Sequence, residues 1–459
     1  MDGLRSASDT IAAIATGACE AGGGILRLSG TASQQIAIAL TKRAFTPRMA
    51  HYCLIHDHDG SILDRGLVLS FPGPDSFTGE DVVEFHCHGS PVLLDTLLRS
   101  CAQLGARYAN AGECSQRAFM NGKIDLAQSE AIADLISSGS EASMRAASRS
   151  LTGFYSQRID EVFEALVSLR AFIEAAIDFP EEEIDFLKNS DVLERIQSLL
   201  ALVETLLTSA KRGRALHRGL KLVIAGAPNA GKSSLMNQLV EKQSSIVTAQ
   251  AGTTRDVIRE RLAIRGLPVE IVDTAGLRNS DDPIEQEGVK RATEEIRSAD
   301  QVLLVCDDSM SDQQERAKDL INIFREQTSS TIPVTLVRNK CDLSGRSTGQ
   351  RVMSGEGSEI PISALSGEGI DVLRDHLLAV AGLENMGNSE FSARARHLDA
   401  LERCLHSLRS AAEQLAQYNA PELAAEELRL AQENLGEITG RYSSDQLLGD
   451  IFGRFCIGK

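Results

Sequence analysis

The sequence predicts a multidomain protein of mixed α/β and α classes: an α+β N-terminal domain, a helical domain formed from two chain segments, and a phosphate-loop α/β domain inserted between them. Three observations lead there. The string Gly226-Ala227-Pro228-Asn229-Ala230-Gly231-Lys232-Ser233 follows an apolar run, Leu222-Val223-Ile224-Ala225, near the middle of the chain. Apolar residues recur at helical spacing on both sides of that region, and the N-terminal part alternates short β-rich runs with glycine turns.

The elements follow in order. Residues 1–122 contain Gly24-Ile25-Leu26-Arg27-Leu28 and Asp81-Val82-Val83-Glu84-Phe85, read as strands of the α+β domain. Over 123–214, Leu126, Ala127, Ala131, Leu135 and Ile136, then Leu166, Leu169 and Ile173, mark helices, and Asp178-Phe179-Pro180 marks a break. Residues 215–382 hold the phosphate loop. In 383–459 the helical period returns with Leu398, Leu401, Leu405 and Leu408, then Leu423, Leu428, Leu430 and Leu435, and Pro421 is placed to open the last long helix. Helices with one apolar face need partners, so 123–214 and 383–459 are expected to pack together around the insertion.

Composition bounds the function. At 459 residues the chain exceeds one core, and 42% hydrophobic residues exclude general disorder. No apolar run approaches the roughly 18 residues that span a membrane, and the N-terminus, with Asp2 and Asp9, lacks a secretory core, so a cytoplasmic protein is expected. Nine cysteines without paired short spacing read as reduced thiols. His86-Cys87-His88 has no second cluster to complete a metal site. A net charge of −17 argues against broad nucleic-acid affinity, and the basic run from Lys211 to Arg218 reads as a solvated linker.

Three further segments follow the phosphate loop: Gly252-Thr253-Thr254-Arg255-Asp256, Asp273-Thr274-Ala275-Gly276 and Asn339-Lys340-Cys341-Asp342. Their order is that of a Ras-like GTPase domain. Asn229, Ala230, Gly231, Lys232, Ser233 and Ser234 are placed around the phosphates, Lys232 reaching the terminal ones. Ser233 and Thr254 are the candidate Mg²⁺ ligands, Asp273 holds the metal's outer shell, and Thr274, Ala275 and Gly276 leave room for the γ-phosphate. Asp342 matches guanine N1–H and its exocyclic amine. Asn339, beside Lys340, either bonds guanine or braces the phosphate loop, and the backbone at Ser363, Ala364 and Leu365 is placed to meet the guanine carbonyl.

Hydrolysis is less ordinary. Leu277 stands where many small GTPases carry a water-orienting glutamine. Asn229 either coordinates a monovalent cation, K⁺, with oxygens from Thr248, Gln250 and Thr253, or only shapes the loop. Arg278 is a finger or a solvated arginine. Glu285 orients water or belongs to a solvated acidic switch.

Strings outside these motifs resemble a known family across the whole chain: Phe77-Thr78-Gly79-Glu80-Asp81-Val82-Val83-Glu84, Arg117-Ala118-Phe119-Met120-Asn121-Gly122-Lys123-Ile124-Asp125-Leu126, Ile177-Asp178-Phe179-Pro180, Leu435-Gly436-Glu437-Ile438-Thr439-Gly440 and the terminus Phe455-Cys456-Ile457-Gly458-Lys459. The chain resembles the tRNA modification GTPases of the MnmE/TrmE family. That resemblance implies a homodimer whose N-terminal domains bind a 5-formyl- or 5,10-methylene-tetrahydrofolate. It also implies an FAD-dependent partner in a heterotetramer, and addition of aminomethyl or carboxymethylaminomethyl groups to C5 of the tRNA wobble uridine. By match to the family's motifs, Arg27, Glu84, Lys123 and Lys459 become folate-site candidates. Asn229 becomes a K⁺ ligand, Glu285 the water-orienting carboxylate, and Cys456 a catalytic candidate whose alternative is packing of the tail. Two departures stand out: relatives usually carry a proline pair and an arginine within Thr16–Gly23, and Pro-Gly-Glu-Phe in place of Ala111-Gly112-Glu113-Cys114. A GTP-operated assembly switch of the ribosome-biogenesis type is the alternative function.

Overall fold

The computed structural model describes residues 9–17, 19–178, 191–239, 259–273, 297–309, 332–349, 351–352, 357–384, 391–442 and 444–458. Two compact units emerge, Met1–Ala133 with Glu433–Lys459, and Asp134–Gln432.

The first unit is built on a six-stranded sheet of β1 (Ile11–Ile14), β2 (Ala21–Ser29), β3 (His51–His56), β4 (Ile62–Phe71), β5 (Val82–Gly89) and β6 (Arg107–Tyr108), in the order β3-β4-β5-β2-β1-β6. Period-two alternation decides what each face presents. Leu26 and Leu28 of β2 and Val83, Phe85 and Cys87 of β5 are buried in one cluster with Leu94, Leu97 and Cys101 of the helix Pro91–Gln103. Arg27, Glu84 and His86 therefore share the opposite face, where Arg27 lies directly across from Glu84 in the antiparallel register.

The end of the chain belongs to this unit. Leu448, Ile451 and Phe452 of the helix Asp445–Phe452, with Phe455, bury against Leu126 and Phe119. The segment 383–459, expected to be one half of a helical domain, is thus shared: its part up to Gln432 belongs to the second unit, where the helix Ala395–Ala416 packs on the helix Asp191–Arg218, and Glu433–Lys459 belongs to the first. The apolar face of the short terminal helix is the physical reason, since its partners lie in the N-terminal unit.

In the second unit, Leu166, Leu169, Ile173, Leu398, Leu401, Leu405 and Leu408 are buried as the periodicity predicts. The helix Phe154–Asp178 stops at the expected break. Elsewhere the stripe differs. Leu423 and Ile136 are exposed, and the buried face of the helix Pro421–Thr439 runs through Ala424, Leu428, Ala431, Leu435 and Ile438. The leucine stripe leaves out the two alanines, which are fully buried. The basic run is likewise no linker: it lies within the helix Asp191–Arg218, where Gly213 and Leu216 turn inward and carry it past the expected boundary at 214/215. A Cβ on Gly213 would lie 1.9 Å from Phe391 O.

That contact is where the chain re-enters the helices after the inserted domain. Asp134, nearly fully buried, accepts hydrogen bonds from Ser392 Oγ and Arg394 Nη2 and pairs with His217 Nδ1 at 3.2 Å, joining the entering and leaving strands of chain.

The inserted domain is a seven-stranded sheet of β7 (Leu220–Gly226), β8 (Arg259–Ile264), β9 (Leu267–Asp273), β10 (Gln301–Asp307), β11 (Val334–Asn339), β12 (Arg351–Val352) and β13 (Gly357–Pro361), ordered β12-β13-β11-β10-β7-β9-β8. The five strands from β13 to β9 are parallel, and β12 and β8 are antiparallel edges. Parallel strands end on one side, so the C-terminal ends of β7, β9, β11 and β13 lie along a single rim. Four of the strings expected to bind nucleotide begin at or just after those ends in the sequence. No helix among the described residues is long and apolar enough to cross a membrane.

Candidate functional site

The phosphate loop leaves β7 at Gly226, whose φ of +145° and 2.1 Å approach of a would-be Cβ to Val305 O admit only glycine. It re-enters regular structure at the helix Lys232–Leu239. Lys232 Nζ donates to Gly226 O at 2.9 Å and Ala227 O at 3.0 Å, which holds the ammonium over the loop with a third hydrogen to spare. Asn229 takes a left-handed φ of 62°. Its side chain is exposed and engages no hydrogen bond among the described residues, and Ser233 and Ser234 are exposed at the helix start. Asp273 ends β9 in register with Ile224, next to the loop.

Asn339 resolves the choice left by its sequence in favour of the brace. Its Nδ2 donates to Ala230 O at 2.8 Å, and its Oδ1 accepts from Lys340 N and Ala364 N, both at 2.9 Å. The side chain is buried and its partners are all backbone, so it ties the phosphate loop to the base-reading segments. Two of the amides expected to meet guanine are consequently engaged inside the chain, Ala364 N–H by Asn339 and Ser363 N–H by Glu368 O at 2.8 Å. Leu365 follows them, 86% exposed, and Leu343, next to Asp342 in the chain, is 69% exposed. Lys340 Nζ pairs with Asp307 Oδ2. Burial alone would raise the Asp307 carboxyl, but the Lys340 ammonium and Ser309 hold it below its ordinary value.

Thr248, Gln250, Thr253, Thr254, Thr274, Ala275, Gly276, Leu277, Arg278 and Glu285 lie outside the described residues, as does Lys459.

The N-terminal candidates are partly brought together. Arg27 Nη2 is 2.8 Å from Glu84 Oε1, its Nε donates to the same oxygen at 2.9 Å, and its guanidinium lies 5.3 Å from the centre of the Phe77 ring. Glu84 Oε2 also meets His86 Nε2 at 3.2 Å. His88 pairs instead with Asp64 at 2.9 Å. No group of three His, Cys, Asp or Glu side chains among the described residues is arranged to hold a metal. Lys123 is exposed and lies over Gly79.

What the residue-by-residue reading missed is how the terminal tail is fastened. Ala111 and Ile457 form an antiparallel bridge, Gly112 N–H donates to Cys456 O at 3.3 Å, and Arg27 Nη1 approaches Gly458 O at 3.5 Å. Gly458 has φ +96°, and a Cβ there would lie 2.2 Å from Ile14 O. The tail therefore lies beside the Arg27–Glu84 pair and leaves Cys456 exposed. The signal was the glycine of the terminal tetrapeptide, Gly458.

A second cluster the sequence did not disclose joins Arg107 and Arg117 to Asp9, Glu80 and Glu113, with N···O distances of 2.6 to 3.0 Å. Burial raises Asp9 and Glu113, yet the two guanidinium groups outweigh it and hold both carboxyls below their ordinary values. Ser29 Oγ donates to Glu80 at 2.7 Å, so this network fixes the start of the tail-bearing sheet rather than offering free charge.

Residues 126–456 match the family model described as MnmE helical domain, and residues 10–123 match that described as GTP-binding protein TrmE N-terminus. A tRNA modification GTPase MnmE from Marinobacter nauticus is 50% identical over 457 residues, covering 99% of this chain and 100% of the relative. The protein of that name from Stutzerimonas stutzeri is 51% identical over 453 residues, 99% of each chain. That from Yersinia pseudotuberculosis is 50% identical over 455 residues, covering 99% of this chain and all of the relative.

Proposed function

The chain belongs to the MnmE family of tRNA modification GTPases, and from that premise we propose that it is a K⁺-stimulated GTPase which, with an FAD-dependent partner, adds an aminomethyl or carboxymethylaminomethyl group to C5 of the wobble uridine. The one-carbon unit comes from a 5-formyl- or 5,10-methylene-tetrahydrofolate. The working form is a cytoplasmic homodimer, joined to its partner in a heterotetramer, and its functional anatomy is an N-terminal domain that also takes in the terminal helix, a helical domain in two segments, and a GTPase domain inserted after the helix that ends at Arg218. The observation that carries this reading is the docked tail, which brings Gly458 O to 3.5 Å from Arg27 Nη1 and leaves Cys456 exposed within the same compact unit.

In this reading the phosphate-loop amides and Lys232 bind the phosphates, Asn339 keeps the loop rigid, and Asp342 selects guanine. The donor set fits the two cations: Ser233 and Thr254 supply hard oxygens for Mg²⁺, which neutralises phosphate charge when bound. The unengaged amide of Asn229, with Thr248, Gln250 and Thr253, suits K⁺ in place of an arginine finger. Glu285 orients the attacking water where Leu277 has no means to do so. KCl is expected to raise the hydrolysis rate well beyond NaCl at equal ionic strength, by about 10-fold or more given what a missing arginine finger is worth. Equal turnover in the two salts contradicts it.

Around the N-terminal pair, Arg27 offers a cation for a glutamyl carboxylate, Glu84 and Lys123 offer polar groups to a pterin, and Lys459 adds a second cation. Calorimetric titration with 5-formyltetrahydrofolate is expected to show binding that Arg27→Ala weakens about tenfold, the value of one charge-assisted hydrogen bond. A chain that binds guanine nucleotide but no folate belongs to the assembly-switch class instead.

A further inference from the structure

A buried cluster beside the base-reading turn has no part in the roles assigned so far. Asp308, the residue after β10, is fully buried, and its backbone N–H donates to Asn339 O at 2.8 Å. Its Oδ1 accepts from Arg338 Nη1 at 3.3 Å, and its Oδ2 accepts from Ser344 Oγ at 2.6 Å and Arg346 Nε at 2.9 Å. Glu359 on β13 accepts from Arg338 Nε at 2.7 Å, and Arg346 Nη1 lies 3.8 Å from the same carboxylate. Two guanidinium groups and two carboxylates alternate, so no buried charge stands alone.

The path of the chain gives this cluster a use. Asp342 sits on the turn Cys341–Ser344, between Asn339, which is fixed to Ala230 O, and Ser344 and Arg346, which are fixed to Asp308. The Asp342 side chain is exposed, and among the described residues no hydrogen bond or ion pair engages it. Its direction is therefore set by the anchors on either side. Two parallel hydrogen bonds to guanine demand both oxygens in place, and hydrogen bonds weaken steeply when misaligned. A buried ion cluster is a weak source of stability compared with apolar packing of similar volume.

We propose that Asp308, acting through Ser344 and Arg346, is the positioning residue that aims Asp342 at the base and so sets the strength of guanine selection. This rests on the reading of Asp342 as the guanine carboxylate. The test uses the full-length chain and fluorescent GDP and IDP, the latter lacking the 2-amino group and hence one of the two bonds to Asp342. Arg346→Leu, at the edge of the cluster, is expected to weaken GDP about tenfold and IDP much less, so that the GDP-to-IDP ratio contracts. Arg346→Lys should recover part of the ratio. In an Asp342→Ala background, Arg346→Leu should have no further effect on GDP. Asp308→Asn should contract the ratio in the same direction, with its unfolding midpoint recorded alongside. An unchanged ratio in both Arg346→Leu and Asp308→Asn, or the full loss persisting in the Asp342→Ala background, would make the cluster a scaffold only and overturn the proposal. If the unmodified chain prefers GDP neither to ADP nor to IDP, the assignment of Asp342 fails first, and the positioning role with it.

Discussion

Gly231→Ala is expected to lower guanine-nucleotide affinity by about 100-fold or more, since left-handed strain of roughly 1–3 kcal/mol adds to a displaced buried hydrogen bond of similar size. The geometry leaves little room for relief. Gly231 has φ +92°, and a Cβ would stand 2.1 Å from Asn339 Nδ2, the atom that donates to Ala230 O. Either the phosphate loop opens or Asn339 withdraws, and withdrawal also frees the Ala364 amide. One methyl group therefore disturbs the phosphate and base subsites together. Fluorescent GDP binding measures this, and an affinity within about threefold of the unmodified chain would show that the brace between the two subsites is energetically idle.

Gly458→Ala is expected to abolish most tRNA modification while GTP hydrolysis by the same preparation is retained. At φ +96° the new Cβ meets Ile14 O at 2.2 Å and Ala15 Cα at 3.1 Å, all backbone, so nothing swings aside. The tail must lift. With it go the Ala111–Ile457 bridge, the Gly112 N–H bond to Cys456 O and the approach of Gly458 O to Arg27. Hydrogen exchange at Gly112, whose amide donates to Cys456 O, reports the lifting directly, and wobble-uridine content reports its consequence. Lost amide protection with undiminished modification would show that the tail's position is irrelevant to the chemistry.

The phosphate loop and the Asn339–Asp342 segment are legible as short, contiguous strings, and the structure sets them directly after β7 and at the end of β11. Strand-end placement then followed from the parallel topology, and Asp342 sits on the turn after β11 as the spacing required. Asn339 was ambiguous because an amide serves base and backbone equally well, and only the position of Ala230 O decides. The helical stripes were read from leucines, which overweights Leu423 and overlooks Ala424 and Ala431, small residues that are fully buried. The terminal segment was assigned by its helical period alone. Its partners, Phe119 and Leu126, lie more than three hundred residues earlier, and periodicity carries no information about which surface a helix covers. The same distance hid Gly458 against Ile14 and the buried Asp308 cluster, both long-range contacts between residues unremarkable by themselves.

Mass spectrometry of nucleosides from tRNA tests the central claim most directly, in cells with the gene deleted, restored, or restored as Cys456→Ser. The deletion should lose C5-aminomethyl-type wobble uridines, the intact gene should return them, and the serine form should fail to. Unchanged wobble uridines in a deletion strain with no second copy would contradict the modification role and leave a GTP-operated assembly switch.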